Sequence, residues 1–433
     1  MQVSEARTIK VDYLARVEGE GALTVVVKDG VAQDVRLSIF EPPRFYEGFL
    51  RGRGFREVPD ITARICGICP VAYQMSSCQA MEDALGWVVP EPLQRLRRLL
   101  YCGEWIESHA LHMFMLHAPD FLGVQDVVAL AELHPEWVKA ALHIKKTGNE
   151  LMRIVGGREI HPINVRVGGF YRAPRKAELA ALLPDLESSL QEAQAALPWL
   201  ATFDYPELER DWELVTLKHP EEYPFCRGNI VSSHGIDVPF SGFPDHFEER
   251  HMAHSNALHA VVKARGHYHT GPMARFNLCF DTLGEAAKAS AAQVGLTVPC
   301  MNPFKSLLVR GVELIQALDE AVRIVADYRP PSEPFVEGPV HAGTGHGASE
   351  APRGMLYHRY TIDDAGLITD AVIVPPTAQN QGTIEDDLRA LAPQLATLPL
   401  EDATWRAEQA VRNYDPCISC ATHFLKLRFE EAS

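Results

Sequence analysis

Alternating hydrophobic and polar positions predict small β-sheets near both ends of the chain. Apolar residues occupy every second position over 23–27 and again over 35–39, and an Asp-Gly turn dipeptide lies between the two runs. This pattern is typical of a β-hairpin, because side chains in a strand point alternately to opposite faces. A second β region is predicted over 335–375, with a hairpin turn at 363–366.

The middle of the chain carries helical periodicity. From Leu93 to Met113, apolar residues recur at spacings of three and four, as on one face of an α-helix. Pro92 suits the first turn of this helix, and Pro119 is expected to end it. Three further segments are predicted to be helical: 176–200, 247–264 and 304–328. Pro184 is expected to kink or break the first of them.

These elements together predict an α+β protein that is mostly α. Long helices fill the middle of the chain, and small β-sheets form near both termini. A length of 433 residues alone would suggest two or three domains, but no internal repeat or low-complexity linker divides the chain. We therefore expect a single domain over residues 1–433, in which the two end segments dock side by side against the helices.

The charge and composition exclude several classes of partner. The net charge of −16 argues against nucleic acid or an anionic membrane surface as the main partner. No run of apolar residues is long enough for a membrane span, and the N-terminus lacks the apolar segment of a secretory signal. Nine thinly spread cysteines are typical of a reducing compartment, so a cytoplasmic protein is expected.

Two Cys-x-x-Cys pairs stand at opposite ends of the chain. Cys66 and Cys69 belong to the run RICGIC, and Cys417 and Cys420 belong to the run DPCISC. Each pair can offer two thiolates to one metal ion, and two pairs can close a four-sulfur site. Only the fold can bring such distant pairs together. The first hypothesis is a soft transition-metal centre that joins the two ends of a large domain.

Other uses of paired cysteines are open from the residues alone. A structural zinc site usually joins pairs that are roughly 15–20 residues apart, which is far closer than the pairs in this chain. Redox dithiols and a four-cysteine iron–sulfur cluster are further alternatives. The remaining cysteines stand alone and are expected to pack in the core: Cys78, Cys102, Cys226, Cys279 and Cys300.

The two cysteine motifs resemble the signature motifs of the large subunit of [NiFe]-hydrogenases. Other segments look like family segments, occur in the family order and span nearly the whole chain. They are RVEGEG (16–21), PRFYEGFLRGR (43–53), SHALH (108–112), HPINVRVGG (161–169), GPMARFNL (271–278), EAPRG (350–354) and VPPTAQN (374–380). The resemblance implies a [NiFe]-hydrogenase large-subunit-like fold and reversible, heterolytic cleavage of H2.

The resemblance also implies the cofactors, which are Ni and Fe(CO)(CN)2. Cys66 and Cys417 would be terminal nickel ligands, and Cys69 and Cys420 would bridge nickel and iron. Thiolates are soft ligands that suit nickel and low-spin iron, and four negative sulfurs stabilise the higher metal oxidation state. The metals would supply the difficult chemistry while the protein orients and tunes them.

Further site residues follow from the same family likeness. Glu18 resembles the proton-relay glutamate, although an exposed glutamate at a strand start is the commoner case. Arg353 resembles the arginine above the open metal position, although an arginine at a helix end in a salt bridge is the ordinary alternative. Pro352 and the backbone around Pro376 and Thr377 would line the cyanide pocket.

The resemblance implies a second, hard metal site near the C-terminus. Glu47, the main-chain carbonyl near Val372 and His423 resemble the ligands of a family magnesium or iron site (Mg or Fe). Carboxylate and carbonyl oxygens suit such a cation. Residues 424–433 resemble the extension that a maturation endopeptidase removes after metal-insertion chaperones have acted, so we expect its removal in the active enzyme.

Two residues differ from those found in other members of the family and indicate a particular branch. Tyr73 stands where many members have histidine, and Ser108 stands where some respiratory members have aspartate. Both resemble the cytoplasmic multimeric branch linked to NAD(P), which includes the sulfhydrogenases. The chain lacks a GxGxxG dinucleotide motif, so a small iron–sulfur subunit and flavin/NAD(P) reductase subunits are implied as partners. A regulatory H2 sensor and a non-catalytic thiolate-metal scaffold are the alternative functions.

A group of histidines follows the middle of the chain. Its members are His251, His254, His259, His267 and His269, the first three near helical spacing. Two interpretations are open: a second metal site, or histidines in ordinary hydrogen bonds, which are the commoner case.

Overall fold

The structure, a computed structural model, describes residues 6–422 of the chain. Its strands are β1 (Arg7–Val11), β2 (Gly21–Lys28), β3 (Val31–Ile39), β4 (Val165–Arg166), β5 (Gly169–Phe170), β6 (Leu214–Lys218), β7 (Asn229–Ser232), β8 (Asp237–Val238), β9 (Phe247–Arg250), β10 (His259–Val262), β11 (His269–Thr270), β12 (Gly343–Ala351), β13 (Gly354–Ile362) and β14 (Ile368–Val374).

The helices range from one turn to six turns. They are α1 (Tyr46–Leu50), α2 (Val58–Thr62), α3 (Pro70–Leu85), α4 (Glu91–Ala110), α5 (Ala118–Leu122), α6 (Val127–Leu133), α7 (Pro135–Gly156), α8 (Lys176–Ala180), α9 (Leu183–Leu200), α10 (Phe243–His246), α11 (Pro272–Cys279), α12 (Glu285–Gln293), α13 (Ser306–Ala326), α14 (Pro376–Thr397) and α15 (Leu400–Arg412). No helix of the described range combines the length and apolar character that crossing a membrane requires.

Both predicted β regions are confirmed. Strands β1, β2 and β3 form an antiparallel sheet, and Asp29 and Gly30 both have positive φ in the turn between β2 and β3. That backbone conformation explains the Asp-Gly pair, because aspartate and glycine tolerate positive φ better than most residues. Strands β12, β13 and β14 form a second antiparallel sheet, with the predicted turn between β13 and β14.

The long helices are also confirmed, with one correction at a boundary. Helix α13 matches the predicted segment 304–328, and the break before Pro184 separates α8 from α9. Helix α4 begins as predicted beside Pro92, but its continuation Leu111–His117 is π-helical. Pro119 was wrongly expected to end the helix. It lies in the first turn of α5, where its missing N–H costs no helical hydrogen bond.

The predicted helix over 247–264 is wrong. Strands β9 and β10 occupy this segment and pair antiparallel, with Phe247 opposite Val262. Short apolar runs fit either element, and here the β-branched residues of β10 are buried in a strand. A sheet in the order β11–β6–β7–β8 was likewise not predicted, because β6 pairs in parallel with a strand more than 50 residues later.

The contact between α3 and β12 sets the position of the later site. A Cβ added to Gly345 would lie 1.9 Å from the Ala80 carbonyl oxygen, and one added to Gly347 would lie 2.2 Å from that of Ser76. Glycines therefore allow the helix to rest directly on the strand. As a result the N-terminus of α3 lies near the hairpin that ends β12. The five single cysteines are all buried, as expected.

Candidate metal centre

Short turns present the four paired cysteines to a common point. Cys66 follows the 3₁₀ turn Ala63–Ile65, and Cys69 is the residue immediately before α3. Cys420 belongs to the 3₁₀ turn Ser419–Thr422 that follows α15. Backbone N–H groups of Ile68 and Cys69 lie 3.3 and 3.2 Å from the Cys66 sulfur. These amides stabilise a negative sulfur, so the turn itself favours a thiolate.

The two cysteine pairs meet although they come from opposite ends of the chain. The Sγ atoms of Cys66 and Cys417 are 3.5 Å apart, and those of Cys69 and Cys420 are 3.8 Å apart. All four sulfurs lie within 4.8 Å of one another, and all four residues are buried free thiols. The arrangement is the four-sulfur site that the sequence predicts.

Burial governs the protonation of the four thiols. Burial raises the pKa of Cys69, Cys417 and Cys420 above the ordinary value. At Cys66 burial also opposes ionisation, but interactions with the other three thiols and with Arg353 outweigh it and hold its pKa well below the usual range. Four thiolates without a cation would therefore repel one another in a dry site, whereas a bound metal cation would stabilise all four.

The Glu18 carboxylate contacts the sulfur of Cys417. Its Oε2 atom is 3.0 Å from the Cys417 sulfur and accepts a hydrogen bond of 3.1 Å from the Ser419 N–H. The Ile418 N–H donates to the Glu18 carbonyl over 2.9 Å, so the backbones of the two ends are joined directly. Gly19 has φ +88, and an added Cβ would lie 2.7 Å from the Ile418 Cβ. Glycine therefore permits this close approach.

Arg353 lies in the tight hairpin between β12 and β13, also beside the sulfurs. Its Nε donates to the Asp415 carbonyl over 2.7 Å, and its Nη2 donates to Asp415 Oδ1 over 3.1 Å. The Nη1 atom is buried and has no hydrogen-bond partner among the described residues. Burial opposes the charge of Arg353, but Asp415 and the thiolates of Cys417, Cys69 and Cys66 raise its pKa well above the ordinary value.

A buried charge network that was not predicted supports the Arg353 hairpin. Arg275 donates to both oxygens of Glu313 over 2.7 and 2.8 Å and to Glu350 over 2.9 Å. It also donates to the carbonyls of Ala351 and Pro352, the two residues before Arg353. The motif GPMARFNL contains Arg275, but its partners are fixed only by the tertiary structure. Arg275 is therefore a positioning residue for the hairpin.

Other predicted residues surround the cysteine site. Thr377 Oγ1 accepts a hydrogen bond of 3.0 Å from the Cys417 N–H. Pro376 begins α14, and a Cβ added to Gly354 would lie 3.1 Å from the Pro376 Cβ. The Tyr73 hydroxyl is buried without a hydrogen-bond partner in the described range, and burial together with the nearby thiolates raises its pKa.

The residues predicted for a second metal site are brought together only in part. Glu47 is buried on α1, and its Oε1 accepts a hydrogen bond of 2.9 Å from the Ile373 N–H. That amide follows the Val372 carbonyl directly in the chain, so Glu47 and Val372 are neighbours. His423 and the predicted extension 424–433 lie outside the described residues.

The family model that describes the "Nickel-dependent hydrogenase" matches residues 44–138 and 259–423, and so covers both cysteine motifs. The chain belongs to the nickel-dependent hydrogenase family. It is a hydrogenase large subunit of the nickel–iron type, with a buried four-cysteine cluster that can bind metal. The predictions of the family, the fold and the enzyme class are confirmed.

Named relatives match this hydrogenase subunit over nearly its whole length. Sulfhydrogenase 1 subunit alpha of Pyrococcus furiosus is 32% identical, over 97% of this chain and 98% of that relative. Sulfhydrogenase 2 subunit alpha of the same organism is 34% identical, over 97% and 100%. The beta subunit of the NAD-reducing hydrogenase HoxS of Cupriavidus necator is 27% identical, over 97% and 95%.

Solved structures agree with the fold of this hydrogenase subunit. An NAD⁺-reducing [NiFe]-hydrogenase in the H2-reduced state superposes with a TM-score of 0.87 and 27% identity, covering 97% of this chain and all of that one. A [NiFeSe]-hydrogenase from Dm. baculatum superposes with a TM-score of 0.78 at 22% identity, over 97% and 100%. The second likeness concerns the fold alone.

Proposed function

We propose that this chain is the site of reversible H2 cleavage in a cytoplasmic, NAD(P)-linked [NiFe]-hydrogenase. H2 would yield two protons and two electrons; on partner subunits the two electrons and one proton would reduce NAD(P)⁺ to NAD(P)H, and the other proton would be released. One observation carries the proposal: the four sulfurs of two distant motifs meet in a buried cluster, with Glu18 Oε2 3.0 Å from the Cys417 sulfur. The NAD-linked and sulfhydrogenase relatives support the choice of acceptor.

The donor set fits a nickel–iron centre in which the iron carries the ligands of Fe(CO)(CN)2. Soft thiolates suit both metals. In the proposed assignment Cys66 and Cys417 are terminal ligands, and their sulfurs lie 3.5 Å apart. Cys69 and Cys420, whose sulfurs lie 3.8 Å apart, would hold both metals. When bound, the centre supplies the open coordination position at which H2 is split heterolytically.

Glu18 is the proposed first proton acceptor beyond the sulfurs. A proton released at the Cys417 sulfur can pass to Oε2 across the 3.0 Å contact, which is within hydrogen-bond reach for a sulfur donor. The Ser419 N–H holds the same oxygen in place at 3.1 Å. The half-exposed position of Glu18 gives the proton a route toward solvent.

Arg353 is the proposed donor above the open metal position and beside the cyanide ligands. Its Nη1 group needs an acceptor, and anionic ligands on the iron would provide one. Pro352, Pro376 and Thr377 are proposed to line the same pocket. Thr377 already orders the backbone of Cys417 through its hydroxyl, which supports this placement.

The second, hard cation site remains a proposal. Glu47, the Val372 carbonyl and His423 would hold Mg²⁺ or iron between α1, β14 and the chain end. The Arg44 N–H donates to the Thr422 carbonyl over 2.5 Å, so the last described residue of the tail lies close to α1. This contact supports a site that joins the two ends of the chain.

Electrons are proposed to leave through a small iron–sulfur subunit that docks beside the Cys66 turn. His161 Nδ1 lies 2.8 Å from the Ala63 carbonyl, and the Tyr46 hydroxyl donates to the Arg64 carbonyl over 3.0 Å. Exposed apolar side chains flank these contacts along the chain: Phe45, Phe49, Ile160 and Ile163. Exposed apolar side chains of this kind can contribute to a protein interface. Flavin/NAD(P) reductase subunits would complete the electron path.

Maturation is proposed to remove residues 424–433. Metal-insertion chaperones would load the site, and an endopeptidase would then cut after His423. We expect the intact mass of the active chain to lack these ten residues. An active preparation whose mass includes them would contradict this step.

The proposed proton route is tested with Glu18→Gln in the purified complex. The amide keeps the shape but cannot accept the proton as a carboxylate does, so we expect at least a tenfold loss of H/D exchange with unchanged nickel and iron. Glu20→Gln is the matched control, because Glu20 is exposed two residues away. Unchanged exchange in Glu18→Gln would remove Glu18 from the proton route.

A further inference from the structure

A second group of metal-ligand side chains converges on one face of α14, apart from the cysteines. His254 comes from the connection between β9 and β10, His259 is the first residue of β10, and Glu385 comes from α14. One ligand atom from each lies within 4.8 Å of the others. His254 Nε2 is 2.7 Å from Glu385 Oε1. The strands that replace the predicted helix are what bring these histidines together.

His259 is a buried histidine whose ring nitrogens are not used in hydrogen bonds with the described residues. The residue is 1% exposed, and neither ring nitrogen has a hydrogen-bond partner within the described chain. The Gln381 side chain is close enough to interact with the ring, but its own amide nitrogen also has no hydrogen-bond partner among the described residues. A buried imidazole without a hydrogen bond is costly and calls for an explanation. Burial lowers the pKa of His259 to about 4, so the ring is neutral at pH 7, the form that binds metals.

The backbone around the three side chains is fixed by contacts with the N-terminal sheet. The Asn256 N–H donates to the Ile39 carbonyl over 2.7 Å, which anchors the connection that carries His254. Glu385 Oε1 also accepts from the Leu37 N–H over 3.0 Å. Side chains that rigid elements hold in this way can form a preorganised site.

The neighbouring cationic side chains pair mainly with Asp386, so the Glu385 carboxylate can still bind a metal ion. The nearest arginine, Arg389, donates to Asp386 over 2.7 Å and approaches Glu385 only at 3.5 Å. His267 also pairs with Asp386, with 2.6 Å between His267 Nδ1 and Asp386 Oδ2. The His254 ring is therefore the closest side-chain partner of the buried Glu385, and a cation between the two histidines would neutralise the carboxylate more fully than Arg389 does.

We propose that His254, His259 and Glu385 bind one divalent first-row transition-metal ion, with Zn²⁺ the best-suited member of the class. Two imidazoles and one carboxylate form a common zinc ligand set, and water would complete it. A tetrahedral site has ligand atoms about 3.3 Å apart, so rotation of the partly exposed His254 would close the set.

The ion would tie α14 to β10 and to the connection between β9 and β10. Helix α14 also carries Thr377, whose hydroxyl holds the Cys417 N–H. The proposed zinc site is thus a structural support for the helix beside the cysteine cluster, and it contains no sulfur ligand. It does not depend on the assignment of nickel and iron.

Zinc retention by the intact purified complex tests the site. The complex is treated with EDTA, incubated with Zn²⁺ and desalted, and nickel, iron and zinc are then counted per chain. We expect about one zinc in the wild type and in His251→Gln, an exposed histidine of the same connection. His254→Gln and His259→Gln should each lose at least nine-tenths of it. Nickel and iron, counted in the same samples, should not change.

Zinc K-edge absorption identifies the ligands of the retained ion. The proposal requires nitrogen and oxygen neighbours at about 2.0 Å with imidazole scattering, and no sulfur. Equal zinc in the wild type and both variants would overturn the proposal, as would a sulfur shell at about 2.3 Å. Because zinc and nickel are counted separately, loss of nickel would count against the proposed hydrogenase function and not against this site.

Discussion

Arg353→Lys tests the proposed role of Arg353 as a donor to the metal centre. Arg353 is 2% exposed, and Asp415 binds two of its nitrogens at 2.7 and 3.1 Å. The third, Nη1, has no partner in the described range, and in the proposed site it would donate to a ligand of the metal. Lysine keeps the positive charge but has a single nitrogen, so it cannot hold Asp415 and serve the metal site together.

The size of the effect follows from the loss of one preorganised donor. Such a donor contributes about 2.7–4 kcal/mol to a reaction that develops charge, which corresponds to a rate factor of about 10²–10³. We expect dye-linked H2 oxidation to fall roughly 100-fold. Nickel and iron contents should stay at the wild-type level, because all four cysteines and Glu18 are unchanged.

The matched control is Arg359→Lys on β13 of the same hairpin. Arg359 pairs with Asp370 at 2.8 Å near the surface and has no contact with the cysteines. Its replacement should leave activity within about twofold, since exposed ion pairs contribute little. If Arg353→Lys kept full activity with full metal content, the role given to the guanidinium would be wrong.

Three further predictions test the surroundings of the site. Gly19→Ala would place a Cβ 2.7 Å from the Ile418 Cβ at φ +88, so we expect a loss of about 1–3 kcal/mol in unfolding free energy and lower nickel content. Burial lowers the pKa of His269 to about 3, below its unfolded value of about 6.5, so its stabilising contribution is full above pH 6.5 and decreases toward pH 3. His269→Asn should therefore flatten the decline of Tm between pH 6.5 and 4; an unchanged slope would contradict this. Thr377→Val should cost about 1–3 kcal/mol by leaving the Cys417 N–H unpaired, and Thr377→Ser should restore most of the lost Tm.

The parts of the fold that depend on local sequence were predictable. The turn at Asp29 and Gly30 follows from residues that tolerate positive φ, and the long helices follow from regular apolar spacing. The segment 247–264 was not predictable in this way, because its short apolar runs suit a strand or a helix equally. The pairing of β6 with β11 depends on long-range contacts that no local pattern encodes.

In the site, likewise, the residues within known motifs were predictable, and the contacts made in the folded chain were not. The four cysteines, Glu18 and Arg353 were predicted because recognisable motifs carry them. Asp415 and Arg275 were not assigned roles, although both lie in quoted segments. Asp415 has φ +50 and uses its own carbonyl to hold Arg353, a contact that only the folded chain defines. Partners of buried charges are therefore the main information that the structure adds.

Nickel K-edge absorption of the purified complex tests the central claim that both ends of the chain hold one metal centre. We predict a first shell made only of sulfur, with iron as the next heavy neighbour, and loss of that signal in both Cys66→Ser and Cys417→Ser. A shell of nitrogen and oxygen, or nickel that survives the loss of either cysteine unchanged, would contradict a centre shared between the two motifs.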